Sequence, residues 1–428
     1  MKTTILKKHI LEGGADSVLL KDCAVFENDI ERKRNRIADA IDAFCALYGE
    51  RDAFVFSVGG RSEVSGNHTD HNKGKVLCAA VNLDIIAIAA PTDDNTITVK
   101  SEGFERDVVS LSDIDSPDES KNFTSAAIIA GMSKAFKDRG LNVGGFVAYT
   151  VSDVLKGSGL SSSAAFEVMV GNILSHLYND GSVDNVEIAK MAQFAENVYF
   201  GKPCGLMDQT ACAVGGFISI DFEDPSRPVI EKQSFDLSAK GYSLCITDTG
   251  GNHADLNEDY ASVPSEMKAV AALFGKEVLR EVSEEDMIAN AAKIRNELSD
   301  RHLLRAIHFM EENKRVDIQA KALREENVET FFENVIASGL SSFRYLQNVY
   351  TTKNVAEQGI STALCLSELF LSSKGGAWRV HGGGFAGTVQ AFVPTEYTAE
   401  YKEYMENTFG KGKCHVLSVR PAGAIRII

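Results

Sequence analysis

The chain has 428 residues, with 44 Lys plus Arg against 60 Asp plus Glu and a formal net charge of −16. That length fits two or three domains, or two large ones sharing an interface, and 44% hydrophobic with 24% charged residues is the composition of a soluble globular protein with chain enough for a core. The acidic excess argues against nucleic acid and anionic membrane as main partners, since its field repels polyanions, but it leaves room for a local pocket that holds a small phosphate ligand.

The opening segment MKTTILKKHILEGG has no apolar stretch of signal-peptide length. Residues 1–50 read as polar helix ending at Gly49, followed by a strand from Ala53 to Val58 and a loop, GGRSEVSGNHTDHNKGK. VLCAAVNLDIIAIAAP is strand-like, and Asn82 and Asp84 make it a poor membrane span. Further strands are expected at Thr96 to Ser101, Arg106 to Leu111 and Gly145 to Val151. A loop at Lys156 to Ser162 opens into AAFEVMVGNILSHLY, apolar on nearly every face and so a buried helix. A helix from Val186 to Phe200 leads to GKPCGLMDQ, then strands near Phe217 to Phe222 and Ser243 to Asp248. Met267 to Leu371 is mainly helical and amphipathic, its charged faces reading as solvated surface. A glycine-rich turn, HGGGFAGTVQAFVP, a helix and a terminal strand, VLSVRPAGAIRII, complete the chain. Strands and helices without strict βαβ alternation predict an α+β fold in two lobes, residues 1–225 and 226–428. Eight scattered cysteines with no CxxC pair read as free thiols of a reducing compartment, so the expected location is cytoplasmic.

Four segments carry chemistry. In GSGLSSSAA (Gly157 to Ala165) two glycines allow close backbone approach and serines stand where a helix begins, the arrangement of a phosphate site. It is not a Walker loop, because no Gly-Lys pair in the chain completes GxxxxGK[ST]. GGRSEVSGNHTDHNKG crowds Arg61, Asn67, His68, Asp70 and His71 into one glycine-flanked loop, which suits a polyhydroxylated ligand. Zinc on His68, Asp70 and His71 is the metal alternative, short of ligands. In AENVYFGKPCGLMDQ, Glu196 and Asp208 are twelve residues apart across a helix break, and an acid held by Arg61 stays ionised and orients a hydroxyl. An ordinary helix-face charge and a helix cap explain these two acids equally well. HGGGFAG matches GxGxxG through Gly382, Gly384 and Gly387, but too little chain follows for a dinucleotide fold, so a tight turn walling the site is expected.

Taken in order, these segments resemble the galactokinases among the GHMP small-molecule kinases, over nearly the whole chain. GGRSEVSGNHTDHNKGKVL is similar to the signature GRVNLIGEHTDYNxGxVL, GSGLSSSAAFEV to the family phosphate loop, PCGLMDQ to PCGIMDQ, and RVHGGGFAG to RMTGGGFGG. The resemblance implies a ribosomal-protein-S5-like N-terminal lobe and a ferredoxin-like C-terminal lobe, with ATP and sugar in the cleft between them. It implies an ATP-dependent kinase acting on the C1 hydroxyl of galactose, with Asp208 as catalytic acid/base group and Arg61 holding it. Asn67, His68, Asp70, Gly205 and Tyr260 would contact the sugar. Gly157, Ser158, Gly159, Leu160, Ser161, Ser162 and Ser163 would wrap the ATP phosphates, and Ser163 with Glu196 would hold Mg²⁺.

One departure bears on specificity. Asn67 stands where the signature has Glu, near the expected C6 hydroxyl, and a neutral residue there would not repel a C6 carboxylate. The sequence therefore leaves a uronic-acid kinase, for example of galacturonate, or another hexose 1-kinase as the alternative to galactose. A non-catalytic ATP and sugar sensor is the alternative of another class, with Arg61, Asp208 and the phosphate loop present in this chain arguing for turnover.

Overall fold

The computed structural model describes residues 1–154, 159–202, 204–251 and 256–428. In chain order its strands are β1 (Phe54–Ser65), β2 (Lys75–Pro91), β3 (Thr96–Ser101), β4 (Arg106–Ser110), β5 (Phe146–Ser152), β6 (Phe217–Asp221), β7 (Val229–Gln233), β8 (Tyr242–Asp248), β9 (Ala377–His381), β10 (Thr388–Pro394), β11 (Cys414–Leu417) and β12 (Ile425–Arg426). The first sheet runs β12-β1-β2-β5-β3-β4, with β6 added to β2 and β7 to β6, and the second runs β11-β8-β10-β9. Pairing is antiparallel except between β3 and β5.

The long apolar run of β2 follows from burial on both faces. Ile86, Ile88 and Ala90 pack with Ile37, Ile41 and Phe44 of the Ile30–Tyr48 helix, while Ile85, Ala87 and Ala89 join the core around the Ser162–Tyr178 helix. That second helix buries most of its length, as its all-round apolar sequence requires. A stack of edge-on rings joins the two sheets: Phe331 of the Val328–Ser341 helix lies 5.9 Å from Phe217 on β6 and 5.4 Å from Phe392 on β10. Each such buried ring contributes about 2 kcal/mol or more.

Three expectations change. β1 does not end at Val58 but continues to Ser65, with register shifts between Gly59 and Arg61 and between Glu63 and Ser65. These bulges bend the strand where its residues turn polar, which is why GGRSEVS reads as loop. A helix at Ser125–Asp138, capped by the Thr124 hydroxyl accepting from the Ala127 N–H, was not anticipated, although Ile128, Met132, Ala135 and Phe136 keep helical spacing. The terminal strand is two strands, β11 in the second sheet and β12 against β1 in the first. No described helix is long and apolar enough to cross a membrane.

The bent end of β1 docks on the second sheet. Ser62 Oγ lies 3.0 Å from His381 Nε2 on β9, and Gln390 Nε2 on β10 donates to the Glu63 carbonyl at 3.2 Å. Arg61 and Glu63 thereby stand at the junction of the two sheets.

Candidate active site

Arg61 reaches from β1 to the first turn of the Met207–Val214 helix. Its Nε donates to Asp208 Oδ1 and its NH2 to Asp208 Oδ2, both at 2.7 Å, a planar fork on a carboxylate. Ser161 Oγ donates to Asp208 Oδ2 at 2.7 Å, and Arg61 NH1 donates to the Gly159 carbonyl. Burial works against ionisation of Asp208, but Arg61 and Ser161 outweigh it and hold the carboxyl below its ordinary value. Asp208 is therefore an anion at neutral pH, with part of its side chain open to the cleft.

Gly159, Leu160, Ser161, Ser162 and Ser163 lie beside this pair, whereas Gly157 and Ser158 fall outside the described residues. Leu160 contributes backbone only: its side chain is in the core and its carbonyl accepts from the Arg61 N–H at 3.0 Å. Ser161 caps the Ser162–Tyr178 helix in the left-handed region, at φ 56°. The first intrahelical bond runs from the Ala165 N–H to the Ser161 carbonyl, which leaves the N–H groups of Ser162, Ser163 and Ala164 without an intrahelical acceptor. Ser162 and Ser163 open onto a cleft of about 620 Å³ whose walls include Phe104, Ile128, Phe166 and Phe200. This apolar cleft is not legible in the sequence, because its walls come from four separate segments.

Beside Met207, the residue before Asp208, a pocket of about 110 Å³ is lined by Glu63, Asn67, His68, Asp70, Met207 and Gly383 among others. His68, at φ 58°, donates from Nε2 to the Gly383 carbonyl at 2.9 Å, and burial lowers its pKa to about 4, so the ring is neutral. Gly205 lies against Asp70, where a Cβ would come within 2.9 Å of Asp70 Oδ2. Asn67 is buried: its Nδ2 donates to Glu63 Oε1 at 2.9 Å and to the Gly382 carbonyl at 2.8 Å, and its Oδ1 accepts from Asn348 Nδ2 at 2.7 Å. Tyr260 sits behind the glycine turn, its hydroxyl donating to the Gly384 carbonyl at 2.9 Å and its ring edge-on to Phe385. The turn does wall the site, with Gly382, Gly384, Phe385 and Gly387 all at positive φ.

The helical region is more than solvated surface. Glu312 of the Asp300–Arg324 helix is fully buried beneath the loop and accepts from Ser65 Oγ at 3.1 Å, the Gly66 N–H at 3.0 Å and Ser338 Oγ. His308, one turn earlier, bridges the Asn67 carbonyl and Ser341 Oγ, each at 2.9 Å. Nothing in the helix's own periodicity distinguishes these polar residues from surface ones.

For a divalent cation, the donor chemistry fits. Glu196, in a π-helical turn at Ala195–Phe200, and Glu167 are both buried, and the Gln209 amide bridges them, 2.8 Å from Glu196 Oε2 and 3.0 Å from Glu167 Oε2. Glu167 Oε1 is buried without a hydrogen bond among the described residues, and Ser163 is one helical turn before it. Burial and then the neighbouring Glu196 push the Glu167 carboxyl well up, an environment that a cation relieves. Among the described residues no three His, Cys, Asp or Glu side chains gather as a complete metal site, so zinc on His68, Asp70 and His71 finds no support, and a cation here would take its remaining ligands from phosphate and water.

The chain matches the GHMP kinases N terminal domain over residues 125–216 and the galactokinase galactose-binding signature over residues 42–91. Its fold superposes on Lactococcus lactis galactokinase, crystallised with galactose, at a TM-score of 0.77 with 22% identity, covering 91% of this chain and 100% of that one. Methanococcus jannaschii mevalonate kinase superposes at 0.60 with 16% identity, covering 86% and 98%. Fold and site together define the class: the two-lobed α+β GHMP kinases, phosphotransferases with a hydroxyl acceptor. The chain is also 31% identical to the galactokinase of Streptomyces coelicolor over 395 residues, 90% of this chain and 97% of that one. It belongs to the galactokinase family.

Proposed function

We propose that the protein transfers the γ-phosphoryl group of ATP to the C1 hydroxyl of D-galactose, giving galactose 1-phosphate and ADP. The observation that carries this reading is the Arg61–Asp208 fork, set between the signature loop and the N-terminus of the Ser162–Tyr178 helix.

In this reading galactose occupies the pocket bordered by Asn67, His68, Asp70 and Gly205, with Tyr260 supporting its glycine wall. The 620 Å³ cleft takes the adenosine of ATP, and the 157–163 loop and helix N-terminus take the phosphates. Ser163 and Glu196 would hold Mg²⁺, with Glu167 beside them, and the ion would supply neutralisation of phosphate charge. Asp208, kept ionised by Arg61, accepts a hydrogen bond from the C1 hydroxyl and aims its oxygen at the γ-phosphorus. Its lowered pKa makes it a weak base, so the C1 proton passes to the Asp208 carboxylate only late, as the C1 oxygen bonds to phosphorus and ADP leaves. Placement and charge neutralisation do most of the work.

We also propose that the lobes divide near residue 225, with the β6–β7 hairpin and β12 as the places where later chain extends the first sheet. Eight cysteines without a disulfide support a cytoplasmic location. The test is ADP release with Mg-ATP against galactose, N-acetylgalactosamine, galacturonate, glucose and arabinose. Turnover on galactose is expected; ATP binding with no turnover on any sugar would overturn the reading.

A further inference from the structure

The galactokinase signature GRVNLIGEHTDY has Asn two residues after its Arg and Glu just before its His. This chain has Glu63 and Asn67 in those places, so carboxylate and amide have exchanged positions. The two side chains touch, with Asn67 Nδ2 donating to Glu63 Oε1 at 2.9 Å. Exchange across a contact conserves the charge, the volume and the hydrogen bond of the pair. It changes only which backbone position carries the acid.

The partners of each side chain differ in one respect. Asn67 commits both amide hydrogens, to Glu63 and to the Gly382 carbonyl, and its oxygen accepts from Asn348 at 2.7 Å and Ser342 at 3.4 Å. It has no hydrogen-bonding capacity left for a ligand. Glu63 receives its protein donors, Asn67 Nδ2 and Arg379 NH2 at 3.3 Å, on Oε1 alone. Among the described residues Oε2 has no donor and is not among the buried unpartnered atoms, and Glu63 lines the same pocket as His68 and Asp70. Arg379 is fully buried and makes no other side-chain hydrogen bond among the described residues, so its charge is committed to the acids around it.

We infer that Glu63 is the sugar-specificity residue of this chain, its Oε2 accepting a hydrogen bond from a substrate hydroxyl and repelling a substrate carboxylate. This rests on the galactose reading above and deepens it. The neutral Asn67 then does not open the pocket to uronic acids, because the acid is retained near the end of β1, in contact with Asn67.

The test compares steady-state kinetics on galactose and galacturonate for the wild type, Glu63→Gln, Asn67→Glu and the double exchange Glu63→Asn with Asn67→Glu, with Tm for each. Glu63→Gln is expected to raise KM for galactose about tenfold with a smaller change in kcat, and to narrow the galactose-to-galacturonate ratio of kcat/KM by about tenfold or more. Asn67→Glu alone sets two carboxylates in contact and is expected to lower both Tm and activity. The double exchange relieves that repulsion and recovers part of both losses, short of wild type because a glutamate at 67 cannot donate to the Gly382 carbonyl as Asn67 does. An unchanged KM and ratio in Glu63→Gln, or a double exchange no better than Asn67→Glu alone, would overturn the inference. A wild type silent on galactose but active on another sugar overturns the galactose reading instead, and recovery of Tm in the double exchange then still decides whether residues 63 and 67 act as one exchanged pair.

Discussion

Arg61 holds Asp208 by two parallel hydrogen bonds, Nε to Oδ1 and NH2 to Oδ2, each 2.7 Å long, although the residues are 147 positions apart. The fork fixes the plane of the carboxylate as well as its charge. A lysine supplies a point charge but no such plane, so the geometry explains why this position carries arginine.

Replacing Asp208 by Asn removes the anion held in the Arg61 fork, the group proposed to orient the acceptor hydroxyl, and leaves Arg61 without its counter-charge. We expect kcat to fall by about 10³-fold or more while ATP affinity stays within roughly threefold. ADP release and calorimetric ATP titration measure the two separately. Near-normal kcat would remove Asp208 from the chemistry.

Glu312 predicts a pH dependence of stability. Burial alone would raise its carboxyl, but His308, Arg379, Arg315 and the Ser338 hydrogen bond carry it from an ordinary 4.5 down to about 2. A depressed folded-state pKa stabilises the fold above the unfolded value and is lost on acidification, so the contribution is complete above pH 4.5 and gone below about 2. That interval corresponds to about 3 kcal/mol. In Glu312→Gln the fall of Tm between those pH values should flatten, and Tm at neutral pH should drop. A Tm-versus-pH curve parallel to wild type would show that Glu312 does not carry the effect.

Gly205→Ala places a Cβ against Asp70 Oδ2 without touching the cleft proposed for the nucleotide. Asp70 moves, because its carboxylate is the mobile partner in that contact. Sugar KM should rise about five- to tenfold with KM for ATP unchanged. Equal changes in both constants would argue that the substitution disturbs the whole site.

Phe166→Ala enlarges the cleft beneath Ser162 and Ser163 and strips one aromatic wall. KM for ATP should rise about tenfold, the equivalent of some 1.4 kcal/mol of lost apolar contact, while sugar KM stays the same. Saturation with ATP at the wild-type concentration would place the adenosine elsewhere.

Much of the site was legible in the sequence because its chemistry is compressed into short segments. Arg61, His68 and Asp70 stand within ten residues of one another, and PCGLMDQ carries Asp208 with Gly205. Legibility failed where polar residues lie in buried, regular structure. GGRSEVS reads as loop yet is the bulged end of a strand, and the apolar spacing of the Ser125–Asp138 helix is diluted by its small residues. Glu312 and His308 sit on a charged helix whose sequence shows no difference between the acid that solvates the surface and the acid that anchors Gly66.

The family and the pairing of Arg61 with Asp208 were already carried by the sequence, the first through the resemblance of four short motifs and the second because an acid at that place needs a cationic partner. Only the tertiary structure brought Glu63 to the pocket of His68 and Asp70, and side chains of four separate segments to the walls of one apolar cleft. Glu63 and Asn67 are interchangeable on paper, and Phe104, Ile128, Phe166 and Phe200 are ordinary apolar residues of separate elements. Their roles depend on long-range packing of strands and helices, where the hydrogen bonds and the burial of each side chain are set by neighbours far away in the chain.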